Sequence, residues 1–215
     1  MRLREKGNLR LVREEINQQL PSILPVMVVP GVTLFPNALL PLFIFEPHYR
    51  VMLEDVLSAG RMLAMARDES TAPDSVAGAG LVRACIRNPD GSSNLVLQGI
   101  SRVRLMGWEQ EEPYRLARIE SLQSVARHAD AEESEAMQDQ LTQLHALCAR
   151  FKEQGIELPD QFESYLGQIT SVGVITDLVA STLLSDPAVR QELLSELEIS
   201  KRLARLLEGL RAQLN

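Results

Sequence analysis

The chain has 215 residues, 45% hydrophobic and 24% charged, with a formal net charge of −7. That composition suits one or two globular domains with a substantial core and excludes disordered, collagenous and disulfide-stapled classes. No apolar run approaches the roughly 20 residues needed to span a bilayer. The charge is uneven: residues 129–215 carry 15 acidic and 7 basic side chains, net −8, whereas residues 1–128 are close to balance at +1. Neither part has the basic excess of a nucleic-acid surface. The two cysteines, Cys85 and Cys148, lie far apart without framework spacing, which fits a reducing compartment. The N-terminus lacks the continuous apolar segment and small-residue cleavage site of a secretory signal, so a cytoplasmic location is expected, with no membrane partner.

Residues 1–23 read as an N-terminal extension. Leu9, Leu11, Val12, Ile16 and Leu20 give a loosely helical pattern without a strong cap. Pro25–Val29 and Leu39–Phe45 are short apolar runs flanking a connection with two breaks, Pro30-Gly31 and Phe35-Pro36-Asn37, and both runs read as buried strands. Pro47 can open a helix, because its missing N–H is not needed in the first turn. Val51, Met52, Val56 and Leu57 continue that helix to Ala59, and Gly60 closes it. Arg61–Arg67 follows as a strand and Asp68–Gly78 as a loop. Gly80–Arg87 and Asn94–Gln98 read as a hairpin around Asn88-Pro89-Asp90-Gly91. In Arg102–Trp108, alternation puts Arg102 and Arg104 on one face and Val103 and Leu105 on the other. Arg115–Leu122 completes a set of short strands that suggests a small β-barrel with one early helix over residues 24–125. From residue 126 the pattern changes. Met137, Leu141, Leu144, Leu147, Cys148 and Phe151 form a helical stripe that ends near Gly155. Pro159–Leu166, Val172–Leu184, Pro187–Leu197 and Ser200–Leu214 read as further helices, so residues 126–215 are expected to form an α-helical bundle. The fold class is α+β.

The order of motifs resembles a known family. "LP", an apolar strand, a variable loop, Phe35-Pro36, Pro41-Leu-Phe-Ile-Phe-Glu46 and an amphipathic helix look like the start of the N-terminal domain of Lon ATP-dependent proteases. The likeness continues through Gly80-Leu81-Val82, Pro89-Asp90-Gly91, Leu97-Gln98-Gly99-Ile100-Ser101-Arg102, Arg190-Gln191-Glu192-Leu193-Leu194 and Arg202-Leu203-Ala204-Arg205-Leu206-Leu207. It therefore covers nearly the whole chain beyond the extension. The resemblance implies a barrel of the pseudouridine-synthase-and-archaeosine-transglycosylase (PUA) type. It also implies a role in recognising unfolded or tagged protein clients, a separate protease or chaperone as a candidate partner, and self-association, since in that family the domain contributes to ring assembly.

Catalytic machinery is not legible. A phosphate-cradling loop needs a lysine after glycines, and none of Lys6, Lys152 and Lys201 follows a glycine. Ser200-Lys201 falls at the start of a predicted surface helix and is not a desolvated dyad. His145 and Cys148 have metal-ligand spacing, but Cys148 belongs to the apolar stripe and no second pair completes a tetrahedral set. His48 and Cys85 read as structural residues. The sequence thus resembles the Lon N-terminal domain standing alone: a non-enzymatic module without cofactor or metal. Exposed members of an apolar set, with Phe35, Pro36, Leu40, Phe43, Phe45 and Trp108 as candidates, would dock peptides. The alternative is RNA binding through Arg83, Arg87, Arg102, Arg104, Arg115 and Arg118. Asp90, Glu109, Glu111, Glu112 and Glu120 interleave with these arginines, and only Trp108 and Tyr114 could stack bases, so nucleic acid is the weaker expectation.

Overall fold

The computed structural model of the protein describes residues 20–67, 74–126 and 131–214. The helical pattern of residues 9–16 and most of the 68–78 connection lie outside the described residues. Six strands come first: β1 (Ile23–Val28), β2 (Leu39–Ile44), β3 (Met62–Ala66), β4 (Val76–Arg87), β5 (Ser93–Gln110) and β6 (Arg115–Leu122). Helix α1 (Pro47–Ser58) lies between β2 and β3 in the chain. Five helices follow: α2 (Ala131–Glu153), α3 (Phe162–Leu166), α4 (Val172–Leu183), α5 (Pro187–Ser195) and α6 (Ile199–Leu214).

The strands form one sheet in the order β2-β5-β4-β3-β1-β6. β6 also pairs with the second half of β5, so the pairings run from β5 through β4, β3, β1 and β6 back to β5. All are antiparallel except β1 with β3. Period-two alternation then separates two apolar layers. Leu24, Val26, Ala64, Ala66, Ala77, Ala79, Val103, Leu105, Ala117 and Ile119 make one layer. Five of these ten are alanines, so the layer is built from small side chains. The other layer joins Met27, Leu63, Met65, Leu95 and Leu97 to Met52, Leu53 and Val56 on the buried face of α1.

Three differences from the sequence reading have physical causes. Asn94–Gln98 and Arg102–Trp108, expected as separate strands, are halves of the 18-residue β5. The intervening residues stay extended and paired to β4, and bulges between Ala79 and Gly80 and between Val82 and Ala84 absorb the bend. For the same reason β4 starts at Val76, inside the expected loop. The expected helix Pro159–Leu166 shrinks to α3, because Gln161 adopts the left-handed conformation (φ 62°) directly before it.

The helices pack around α4, which is apolar on most of its surface and buries Ile175, Leu178, Val179, Ala180 and Leu183. α6 contributes the stripe Leu203, Leu206, Leu207 and Leu210, and α2 contributes Leu144, Leu147, Cys148 and Phe151. The Asp186 side chain accepts hydrogen bonds from the Ala188 and Val189 N–H groups, and Pro187 fills the first position of α5, as the sequence indicated.

The connection between β1 and β2 joins the sheet to the helices. It crosses β4 and β5 where neither carries a side chain. A Cβ on Gly78 would stand 2.0 Å from the Leu34 carbonyl oxygen, and one on Gly99 would stand 2.0 Å from that of Phe35. The Asn37 N–H donates to the Gly99 carbonyl at 2.8 Å, and the Gly99 N–H donates to that of Ala38 at 2.9 Å. Held this way, Phe35 and Ala38 leave the sheet's apolar layers and enter the core of the helical bundle.

Candidate functional site

β2 ends the sheet order, and its residues alternate between core and solvent. Leu40 and Leu42 are half-buried against the α1 layer and Ile44 is buried within it. Leu39, Pro41 and Phe43 take the opposite face, where Leu39 is 64% and Phe43 55% exposed. Register extends this face across the sheet: Pro41 pairs with Val96 and Val96 with Ala84, while Phe43 pairs with Asn94 and Asn94 with Ile86. Ile86 is 67% exposed. Just past the strand, Phe45 is as exposed as Phe43 and stacks on it, ring centroids 5.9 Å apart. Exposed large apolar side chains are unremarkable singly but informative when contiguous. Pro41, which has no N–H, sits where a missing donor is tolerated, and it interrupts any further strand ladder along the free edge of β2. This face can therefore bind a partner chiefly by burying its side chains.

The structure divides the six residues proposed from sequence. Phe43 and Phe45 lie together on the exposed face, and Leu40 lies half-buried behind it. Phe35 and Pro36 are corrections. Phe35 is fully buried in the helical core beneath the guanidinium of Arg190, 5.8 Å from the ring centroid, and Pro36 is buried beside it in the chain. Neither lies on the exposed face of β2: Phe35 is enclosed by the helices, and Pro36 lines the cleft between the sheet and the bundle. Their place follows from the two glycine crossings, which aim the connection at the bundle. Trp108 lies elsewhere, half-buried against the alanine-rich layer with Arg115 over its ring at 5.1 Å. Sequence reasoning missed Leu39 as an exposed residue, along with Ile86. Ile86 stands two residues before Asn88 in a hairpin legible from sequence, but the pairing of the other hairpin strand with β2, which brings Ile86 to this face, is not.

The arginines do not form a continuous basic surface. Arg87 pairs with Glu54, Arg104 with Glu120, and Arg118 with Glu109. Arg83 donates to the Gln98 side chain. Arg102, expected on the outer face, is only 3% exposed. Its Nη1 and Nη2 donate to Asp177 Oδ2 and Oδ1 of α4 at 2.9 and 2.7 Å, and its Nε donates to the Leu194 carbonyl of α5 at 2.9 Å. The alternation was right, but α4 and α5 cover this face at Arg102 and leave Arg104 at the surface. Arg202 of α6, also buried, completes the cluster, with Nε 3.5 Å from Asp177 Oδ1. Its Nη1 donates to the Glu196 carbonyl and its Nη2 to Ser124 Oγ. Burial pushes Arg202 down to about 10, with Asp177 opposing that shift and Arg102 adding to it. Among the described residues no three His, Cys, Asp or Glu side chains converge as metal ligands, and no helix is long and apolar enough to cross a membrane.

The sheet thus bears an open apolar face beside a helical bundle, and the comparisons with known proteins give the family of the chain. Residues 23–212 match the model of the ATP-dependent protease La (LON) substrate-binding domain, and the chain belongs to that family. It is 25% identical over 205 residues to a Lon protease of Desulfosudis oleivorans, covering 91% of this chain and 24% of that one. It is 28% identical over 182 residues to a Lon protease of Trichlorobacter lovleyi, covering 80% of this chain and 22% of that one. The chain thus spans about a quarter of the length of these curated relatives. Among solved structures, the N-terminal domain of Mycobacterium avium complex Lon protease superposes with a TM-score of 0.70 at 15% identity, over 88% of this chain and 98% of that one. A Lon N-terminal domain protein from Xanthomonas campestris gives 0.63 at 16%, over 87% and 98%. The fold is that of Lon N-terminal domains.

Proposed function

We propose that the protein is a non-catalytic polypeptide-binding module that holds unfolded, extended client segments on the apolar face of β2, β5 and β4. The observation that carries this reading is the contiguous exposure of Leu39, Phe43, Phe45 and Ile86. Unfolded chains expose the side chains that such a face can bury, at roughly 25 cal/mol per Å² removed from water. The description of the family as a substrate-binding domain supports the same occupant. In this role the protein acts as an adaptor for a separate protease or chaperone. We read the circuit of strand pairings as a small PUA-like barrel that fixes the face rigidly. RNA binding is disfavoured by the carboxylates that engage Arg87, Arg104 and Arg118 and by the burial of Arg102.

The test is binding of a permanently unfolded reporter, reduced and carboxymethylated so that it cannot refold, measured by fluorescence anisotropy. Phe43→Asp/Phe45→Asp should abolish binding while leaving the thermal melt nearly unchanged, because both side chains are more than half exposed. Undiminished binding by that variant, or none by the wild type, refutes the reading. Concentration-dependent dimerisation lost in the same variant would instead make a second copy of the chain the occupant.

A further inference from the structure

The exposed face of β2, β5 and β4 owes part of its composition to the bulge in β4. Strict alternation from buried Val82 would turn Ala84 and Ile86 toward the α1 layer and Cys85 away from it. The register instead slips between Val82 and Ala84, and the phase reverses beyond the slip. Cys85 packs on the α1 layer, whereas Arg83, Ala84 and Ile86 are all exposed. One inserted residue thus gives β4 both an arginine and an isoleucine on its outer side.

Gln98 directs that arginine toward β2. Its neighbours Leu95 and Leu97 are buried in the α1 layer, so Gln98 projects from the opposite face, as Asn94 and Val96 do. In register Gln98 stands beside exposed Leu39. Arg83 Nε donates to Gln98 Oε1, which brings the guanidinium over β5 on the Leu39 side. An amide neutralises no charge. Arg87, Arg102, Arg104 and Arg118 each meet a carboxylate, whereas Arg83 meets none among the described residues. At the other end of the face Glu46 follows Phe45, with its carboxylate 3.6 Å from His48 Nε2. The extended run from Leu39 to Phe45 separates these ends by roughly 20 Å. The apolar face is therefore cationic at one end and anionic at the other.

We propose that Arg83 sets the sequence preference of this face: it selects extended client segments in which an aspartate or glutamate flanks apolar residues. The inference rests on the binding role proposed for the β2 face and names the clients that the face takes. The apolar side chains of the segment cover Phe43, Phe45 and Ile86. Its carboxylate accepts from the Nη groups of Arg83, which have no hydrogen bond to the described residues. A guanidinium fork presents paired donors in the geometry that a carboxylate accepts. The net charge of −7 disfavours acidic segments at long range, so a preference for them requires a local cation.

The experiment is fluorescence anisotropy of the full chain with three peptides rich in leucine and phenylalanine. Both ends are blocked, so that no chain terminus carries charge, and one flanking position is aspartate, asparagine or lysine. Wild type should bind the aspartate peptide roughly 2- to 5-fold tighter than the asparagine peptide, the range of an exposed ion pair, and the lysine peptide most weakly. Added salt should narrow the difference. Arg83→Gln should erase the preference and bind the asparagine peptide as wild type does, which also shows that the variant is folded. Arg83→Glu should invert the order. Equal binding of the three peptides by wild type, or an aspartate preference that survives Arg83→Gln, overturns the proposal and leaves the apolar docking face standing. Failure of wild type to bind any of the three removes the docking face, and the proposal with it.

Discussion

Replacing Phe35 with alanine separates its structural role from the docking role that its sequence context suggests. The ring is fully buried among α-helical side chains and lies under Arg190. Truncating a buried Phe to Ala costs about 3–5 kcal/mol, because transfer energy and the residual cavity add. The lost cation–π contact contributes within that range. About 4 kcal/mol is a large share of the roughly 5–15 kcal/mol that holds a native domain together. At roughly 2–4 °C per kcal/mol for a chain of this size, Phe35→Ala should lower the melting temperature by roughly 8–16 °C, read by circular dichroism. Phe43→Ala, at an exposed site, should stay within about 0.5 kcal/mol of wild type. If Phe35→Ala melts within about 2 °C of wild type while losing the unfolded reporter, Phe35 is a surface docking residue and its assignment to the bundle core is wrong.

Asp177→Asn should cost about 3–5 kcal/mol in urea denaturation, because it leaves two buried guanidinium groups without their carboxylate. Arg104→Gln, which breaks an exposed pair with Glu120, should cost under about 1 kcal/mol, and equal losses would refute the distinction. Gly99→Ala should destabilise strongly, since its Cβ would collide with the Phe35 carbonyl oxygen, whereas Gly60→Ala, with nothing within 4 Å, should be neutral or slightly stabilising. Burial, with Glu163 adding to it, pushes the Cys148 thiol up to about 11. At pH 8 an aromatic disulfide reagent should therefore label Cys85 readily and Cys148 only on unfolding. The native chain keeps a proton that the unfolded chain releases above about 9, so stability should fall as pH rises from 9 to about 11, with a shallower fall in Cys148→Ala.

Much of the fold was legible because local signals agreed. Pro47, Asp186-Pro187, the α2 stripe and the Asn88–Gly91 turn each have one structural meaning, and each element lies within a few residues of its expected place. Sequence reasoning failed where a strand met something distant. Alternation correctly opposed Arg102 to Val103, but no local pattern reveals that α4 and α5 cover Arg102. Phe35 and Phe43 are chemically alike and eight residues apart. Only the passage of their connection over Gly78 and Gly99 decides that one is core and the other surface. The β2 face was half legible, because its aromatic residues stood out while Ile86 reaches it only through pairing with a strand far along the chain.

The placement of Phe35 and Ala38 has a consequence for synthesis. Their partners in the helical core span residues 144–210, so these two side chains emerge from the ribosome more than a hundred residues ahead of the surface that will cover them. During that interval the nascent chain displays Phe35 near Phe43 and Phe45, a larger sticky surface than the finished protein carries. Chains become aggregation-prone when apolar surface waits on distant sequence. A nascent or truncated product ending near residue 126 should therefore be captured by chaperones and precipitate on its own. Packing of the helical bundle withdraws Phe35 from the surface and leaves Phe43 and Phe45 exposed.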